Sequence, residues 1–330
     1  MKTLAFFNNK CGVGKTSLVY HLAWMFMERG LNVLAVDLDP QANLTAMFLD
    51  EERLERLWPD SDHPETVYGA IQPIQDGTGD IGQAHLERIA EGLHLIPGDL
   101  ELSRFEDKLS DAWPRCHDGD GAAFRAISAF YRLARKGGDQ CMADIILIDV
   151  GPNLGAINRA ALIASDYVAV PLGADLFSLQ GLRNLGPTLR AWRKGWEARL
   201  PSKPSGLDMP GGLMEPIGYI VSQHGVLESR PVKSYQRWLN RIPLTYRESV
   251  LGKKTAQTPK PEKDNYALAL LKHYRSLISM AMDAHKPIFA LKSADGAIGS
   301  HIEAVHACHE DFLNLAKKIA DRINIAKREE

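Results

Sequence analysis

Apolar residues in this chain gather into short runs separated by helical-period stretches. Residues 4–7 (Leu-Ala-Phe-Phe) read as a buried strand, and a polar loop over 8–14 follows. Leu18, Leu22, Met25 and Phe26 then recur at helical spacing, so a helix is expected over 15–29, facing a sheet and stopped by Gly30. Residues 31–37 form the next apolar run, ending in the turn pair Asp39-Pro40. Strand, loop, helix and strand make a βαβ unit with a right-handed crossover and parallel strands. Further strands are expected at 93–96, 145–149, 167–171 and 217–221, the last of them, with mainly helix after it. Residues 50–65 read as a solvated acidic helix and loop, 111–121 as a loop, 124–135 as a helix and 201–212 as a surface loop. The alternation implies an α/β fold: one domain over 1–330, with a mostly parallel twisted sheet covered by helices on both faces.

Composition adds limits. The chain has 330 residues, 45% hydrophobic and 24% charged, in the range of folded globular proteins. Cys11, Cys116, Cys141 and Cys308 form no CxxC pair, which argues against a zinc site or a disulfide framework and fits a reducing cytoplasm. The first apolar run is too short for a signal peptide, and none reaches the roughly 18 residues of a membrane span. Net charge is -2, so contact with nucleic acid requires a local basic patch. Between 228 and 263 such a patch exists: Arg230, Lys233, Arg237, Arg241, Arg247, Lys253, Lys254, Lys260 and Lys263 against Glu228, Glu248 and Glu262, a local +6 with Tyr235, Trp238 and Tyr246 interleaved. It reads either as a surface for backbone phosphates or as a solvated insertion, basic and mainly helical, around 225–285.

The strongest chemical signal is Gly12-Val13-Gly14-Lys15-Thr16, set between a strand and a helix. Glycines let backbone N–H groups curl around phosphate oxygens, and the helix N-terminus adds free donors and partial positive charge. Val13 and Ser17 belong to the same cradle. Lys15 would reach the terminal phosphates of ATP and Thr16 would bind Mg²⁺. The general G-x-x-x-x-G-K-[ST] pattern fails because Asn9 stands where its first glycine belongs.

Lys10-Cys11-Gly12-Val13-Gly14-Lys15-Thr16 instead resembles the deviant Walker A of the ParA/MinD/Soj family of P-loop ATPases, with Cys11 in place of a glycine. Cys11 is either a tolerated small residue or an oxidation-sensitive thiol. Asp37-Leu38-Asp39-Pro40-Gln41-Ala42-Asn43 is similar to that family's first switch, and Ile145 to Asp149 to its Walker B strand, followed here by Val150-Gly151-Pro152-Asn153 rather than two prolines. The resemblance covers about residues 1–225. It implies that Lys10 reaches the phosphates of a second subunit, that Asp39 orients the attacking water, and that Asp37 and Asp149 join Thr16 around Mg²⁺. It also implies that Pro171 and the loop after it flank the base.

The same resemblance implies a homodimer closed over ATP, slow hydrolysis stimulated by a ParB-like adaptor, and non-specific DNA as the surface bound. With the P-loop at the start, no N-terminal helix-turn-helix is expected, nor operator binding. A MinD-like membrane-associated ATPase is the rival. Its amphipathic C-terminal helix would have to be the stripe Phe312, Leu315, Ala316, Ile319 and Ile323, which reads better as core because the chain then ends Lys327-Arg328-Glu329-Glu330. A metabolic ligase of the cobyrinate or dethiobiotin kind would need an acceptor motif that is not found here, and an iron-protein relative would need cluster-ligating cysteines in the stretch directly after Asp149, which has none.

Overall fold

In the computed structural model, residues 1–222, 232–255, 259–272, 274 and 276–326 are described, with 232–234 as backbone only. The chain runs β1 (Lys2–Phe6), α1 (Lys15–Glu28), β2 (Val33–Asp37), α2 (Asn43–Phe48), α3 (Glu51–Leu57), α4 (Val67–Gln75), β3 (Glu87–Ala90) and β4 (Leu93–Ile96). Then come α5 (Phe105–Arg115), α6 (Gly121–Ile127), α7 (Ala129–Gln140), β5 (Ile145–Asp149), α8 (Ala156–Ile163), β6 (Tyr167–Gly173), α9 (Leu176–Arg199) and β7 (Glu215–Ser222). Last are α10 (Val232–Leu239), α11 (Ile242–Thr245), β8 (Ala267–Leu271), α12 (Ser276–Asp283) and α13 (Ser300–Ile323).

The strands make one eight-stranded sheet in the order β3-β4-β2-β5-β1-β6-β7-β8, with β3 antiparallel to β4 and the other pairings parallel. Alternation along β1 explains the two cores. Leu4 and Phe6 point to the face covered by α1, α12 and α13, while Ala5 and Phe7 point to the face covered by α4 through α9. The α1 residues read as sheet-facing, Leu18, Leu22, Met25 and Phe26, are 0–3% exposed. Phe312, Leu315, Ala316, Ile319 and Ile323 of α13 are 0–4% exposed, so that stripe is core.

Several expectations need correction. The stretch over 111–121 contains the end of α5 and a short 3-10 turn, Cys116–Asp118. The helix expected over 124–135 is two helices, broken where the Ser128 hydroxyl turns back to the Phe124 carbonyl at 2.7 Å. Strand β7 is not the last: β8 pairs with it, so the segment read as a mainly helical insertion supplies a sheet strand. Strand β3 was also missed.

Both sheet edges are occupied by charge or irregularity. Strand β3 is four residues long and carries a register shift between Arg88 and Ala90. Beside β8, Lys318 Nζ of α13 reaches the Ala267 carbonyl at 3.5 Å, and Arg322 reaches that of Asn265.

Candidate nucleotide site

The chain crosses from β1 to β2 on one side and from β5 to β6 on the other, so a crevice opens at the carboxyl ends of β1, β2 and β5. Register fixes what meets there: Asp149 of β5 stands opposite Phe6 of β1 and opposite Asp37 of β2. The loop after β1 enters α1 through Gly12 and Gly14, at φ +69° and +84°, which only glycine adopts readily. Gly14 sits at the N-cap of α1 without a side-chain cap, leaving the first N–H groups of α1 open toward the crevice. Neighbouring elements hold the loop from outside. Asn8 Nδ2 donates to the Pro171 carbonyl at 2.6 Å, and the Ser222 hydroxyl donates to the Val13 carbonyl at 3.2 Å.

Lys15 is buried, its Nζ 3.3 Å from the Lys10 carbonyl. Burial lowers its pKa, and the charges of Asp149 and Asp39 partly offset that. Asp37 is fully buried. Its Oδ2 accepts from the Thr45 amide (2.9 Å) and hydroxyl (2.8 Å), and its Oδ1 from the Asp39 amide (3.2 Å). Burial nevertheless pushes its carboxyl up to about 7, with Thr45 working the other way. Asp39 is 7% exposed and accepts from the Gln41 amide at 3.0 Å.

Asp149 differs from both. Its two oxygens are buried, and among the described residues no donor closes on either of them more tightly than the neighbouring Thr16 hydroxyl. Burial and then the charge of Asp37 drive its pKa well up, while the nearby Thr16 hydroxyl and Lys15 pull it down. A carboxylate with open lone pairs beside a threonine hydroxyl fits a hard, oxygen-seeking cation such as Mg²⁺. Asp37, with its oxygens already taken, is suited to bracing that cation's surroundings.

Lys10 does not point into the crevice. Its Nζ is ion-paired with Asp175, the residue that caps α9 by accepting from the Ser178 amide at 2.9 Å. Burial would raise the Asp175 carboxyl, but the Lys10 and Ser178 contacts outweigh it and hold it below the usual range. Cys11 is exposed at the loop tip and Ser17 on the first turn of α1. Pro171 lies buried in β6, its carbonyl held by Asn8 of the phosphate loop, and Ala174 and Asp175 alone separate that strand from α9.

The basic stretch divides. Arg237 and Arg241 are exposed and flank Trp238 at 5.2 and 5.3 Å, and Lys253 and Lys254 are exposed. Arg247 is half-buried and forms a two-toothed ion pair with Asp264, whose side chain is buried. Arg230 and the side chain of Lys233 lie outside the described residues. No described helix is long and apolar enough to cross a membrane.

Sequence reasoning missed Asp175, Glu106 and Asn158. Glu106 of α5 accepts from the amides of Ala156 (2.5 Å) and Ile157 (2.9 Å), and Asn158 Nδ2 donates to the carbonyls of Gly151 (2.9 Å) and Asn153 (2.7 Å).

A family model described as an AAA domain (AAA_31) matches residues 1–201. The protein IncC of Escherichia coli is 36% identical over 190 residues, 57% of this chain and 46% of that protein. The chromosome partitioning protein ParA of Caulobacter vibrioides is 30% identical over 200 residues, 61% of this chain and 66% of that one. The chain spans about half the length of the first curated relatives it matches. A McdA–ATP complex from Cyanothece superposes with a TM-score of 0.62 at 16% identity, over 100% of this chain and 99% of that chain, which speaks for the fold.

Proposed function

Because the chain belongs to the AAA-domain family whose model spans residues 1–201, with relatives named ParA, IncC and Soj, we propose that it is a ParA-like ATPase switch: it closes a homodimer over Mg·ATP and opens on hydrolysis. The observation that carries this reading is Asp149, whose two buried oxygens lie beside the Thr16 hydroxyl and Lys15 at the mouth of the glycine loop. The amides of residues 11–16 cradle the phosphates and Lys15 reaches the terminal ones. Thr16 and Asp149 hold Mg²⁺, with Asp37 braced behind them. A Mg²⁺ held by Thr16 and Asp149 would supply charge neutralisation for the phosphate oxygens. Asp39, on the loop after β2, orients the attacking water.

Lys10 acts across the dimer. To do so it leaves Asp175, beside which Leu176 and Phe177 are exposed (44% and 72%), an apolar border suited to a second copy. Exposed Arg237, Arg241, Lys253 and Lys254 give the closed dimer a surface for duplex backbone, read without sequence. An adaptor of the ParB kind stimulates hydrolysis, and the work done is partition or positioning of a DNA or other cargo in the cytoplasm, on the nucleoid.

The test is assembly. Sedimentation velocity with Mg·ATP should show a dimer for the wild type and a monomer for Lys10→Ala, with hydrolysis reduced in parallel. A Lys10→Ala protein that dimerises and hydrolyses normally would exclude the role given to this lysine.

A further inference from the structure

Helix α8 begins without a cap of its own, since Gly155 at its N-cap position has no side chain to offer. The missing acceptor comes from fifty residues away. Glu106, on the first turn of α5, places one oxygen on the Ala156 amide and the other on the Ile157 amide. The approach is close enough that a methyl group on Gly155 would lie 2.6 Å from Glu106 Oε1. A second tie runs beside it: Arg159 of α8 donates to the Leu109 carbonyl of α5 at 3.4 Å and lies over Trp113 at 4.4 Å.

What α8 holds in turn is the loop leaving Asp149. Asn158, 1% exposed, grips the Gly151 and Asn153 carbonyls, and the Asn153 side chain accepts from the Gly155 amide at 3.0 Å. Gly151 is pressed against Asp39, so that a methyl there would stand 3.2 Å from Asp39 Oδ1. The approach to α5 also borders the other carboxylate. Gly98 donates to the Thr45 hydroxyl at 2.8 Å, Thr45 donates to Asp37, and one 3-10 turn (Leu100–Arg104) then leads into α5.

From this we infer that Glu106 is a positioning residue for hydrolysis: its carboxylate fixes the loop after Asp149 and thereby the wall against which Asp39 works. The inference rests on the ATPase reading above but names a residue outside the three nucleotide motifs. Glu106 touches neither phosphate nor metal in this assignment. Its removal should therefore spare nucleotide binding and slow the chemical step, because a small misplacement of a reacting geometry costs rate rather than affinity.

Glu106→Gln keeps the packing and one acceptor while putting an amide donor against a backbone N–H. It should lower kcat about tenfold or more, with KM for ATP within about twofold of wild type. Hydrogen exchange over residues 150–158 should speed up. Glu106→Asp, a carboxylate one methylene short, should fall between the two. Val305→Ala, a core truncation in α13 on the opposite face of the sheet, provides a control of comparable thermal cost that should keep kcat. Wild-type kcat in Glu106→Gln overturns the inference, as does a loss that the Val305→Ala control reproduces at equal melting temperature. A wild type that hydrolyses no ATP at all fails differently: it removes the ATPase reading, and the inference falls with it.

Discussion

A buried carboxylate short of hydrogen-bond donors costs about 1–3 kcal/mol, more if charged, and Asp149 sets two such oxygens beside Asp37, with the Thr16 hydroxyl the donor close by. Asp149→Asn keeps the shape and removes the charge. It should raise stability at pH 8 by about 1–3 kcal/mol while abolishing Mg²⁺-dependent nucleotide binding. Denaturant melts with calorimetric titration of Mg·ATP would check both, and a destabilised variant would mean that the carboxylate is satisfied in a way the geometry does not reveal. Residues of this kind were legible because their meaning is local: a glycine loop between strand and helix, or a carboxylate ending an apolar run. Asp175, Glu106 and Asn158 were not, since the first two act on groups 165 and about 50 positions away and the third on a loop no motif marks. The ion pair of Arg247 was hidden for a related reason. Counting charge over 228–263 stopped one residue short of Asp264, the partner of this arginine.

Elements joined by one side chain carry their own pH dependence. His21 of α1 bonds the Ser17 carbonyl through Nδ1 at 2.7 Å and accepts from the Ile288 amide through Nε2 at 3.1 Å, tying α1 to the segment between α12 and α13. That geometry needs a neutral ring, and burial drops its pKa to about 4 from 6.5. Between those values the unfolded chain binds a proton that the folded one refuses. Stability is therefore full above pH 6.5 and lost as pH falls toward 4, by up to about 3 kcal/mol. Asp37 opposes this over part of the same window, its carboxyl being raised rather than lowered, so the measurement is a difference. Chemical denaturation of wild type and His21→Gln at pH 7 and pH 4.5 should show the gap between them shrinking in acid; a constant gap would mean that the ring is protonated in place. Most strands and α1 were readable from apolar runs and helical spacing. Strand β8 was hidden as five residues following a charged stretch. Helix α5 does carry a signal, Phe105, Leu109 and Ala112 at helical intervals, beneath a mostly charged surface closed by Pro114.

At the scale of the whole molecule, a net charge of -2 conceals an uneven distribution, with Arg237, Arg241, Lys253 and Lys254 exposed on one stretch. If these cations meet duplex backbone, counterion release sets the affinity. Binding of the ATP-bound dimer to random DNA should then fall about a thousandfold or more between 50 and 200 mM salt. Fluorescence anisotropy across that range decides the matter; salt-insensitive binding, or binding strongest without nucleotide, would exclude the surface. Were many copies to gather on such a lattice, the two ends of the sheet would matter. Strand β3 is short and kinked, while lysine and arginine from α13 occupy the carbonyls beside β8. Neither end offers a clean template for another chain's strand. Copies brought close together therefore meet at edges that disfavour strand-to-strand pairing.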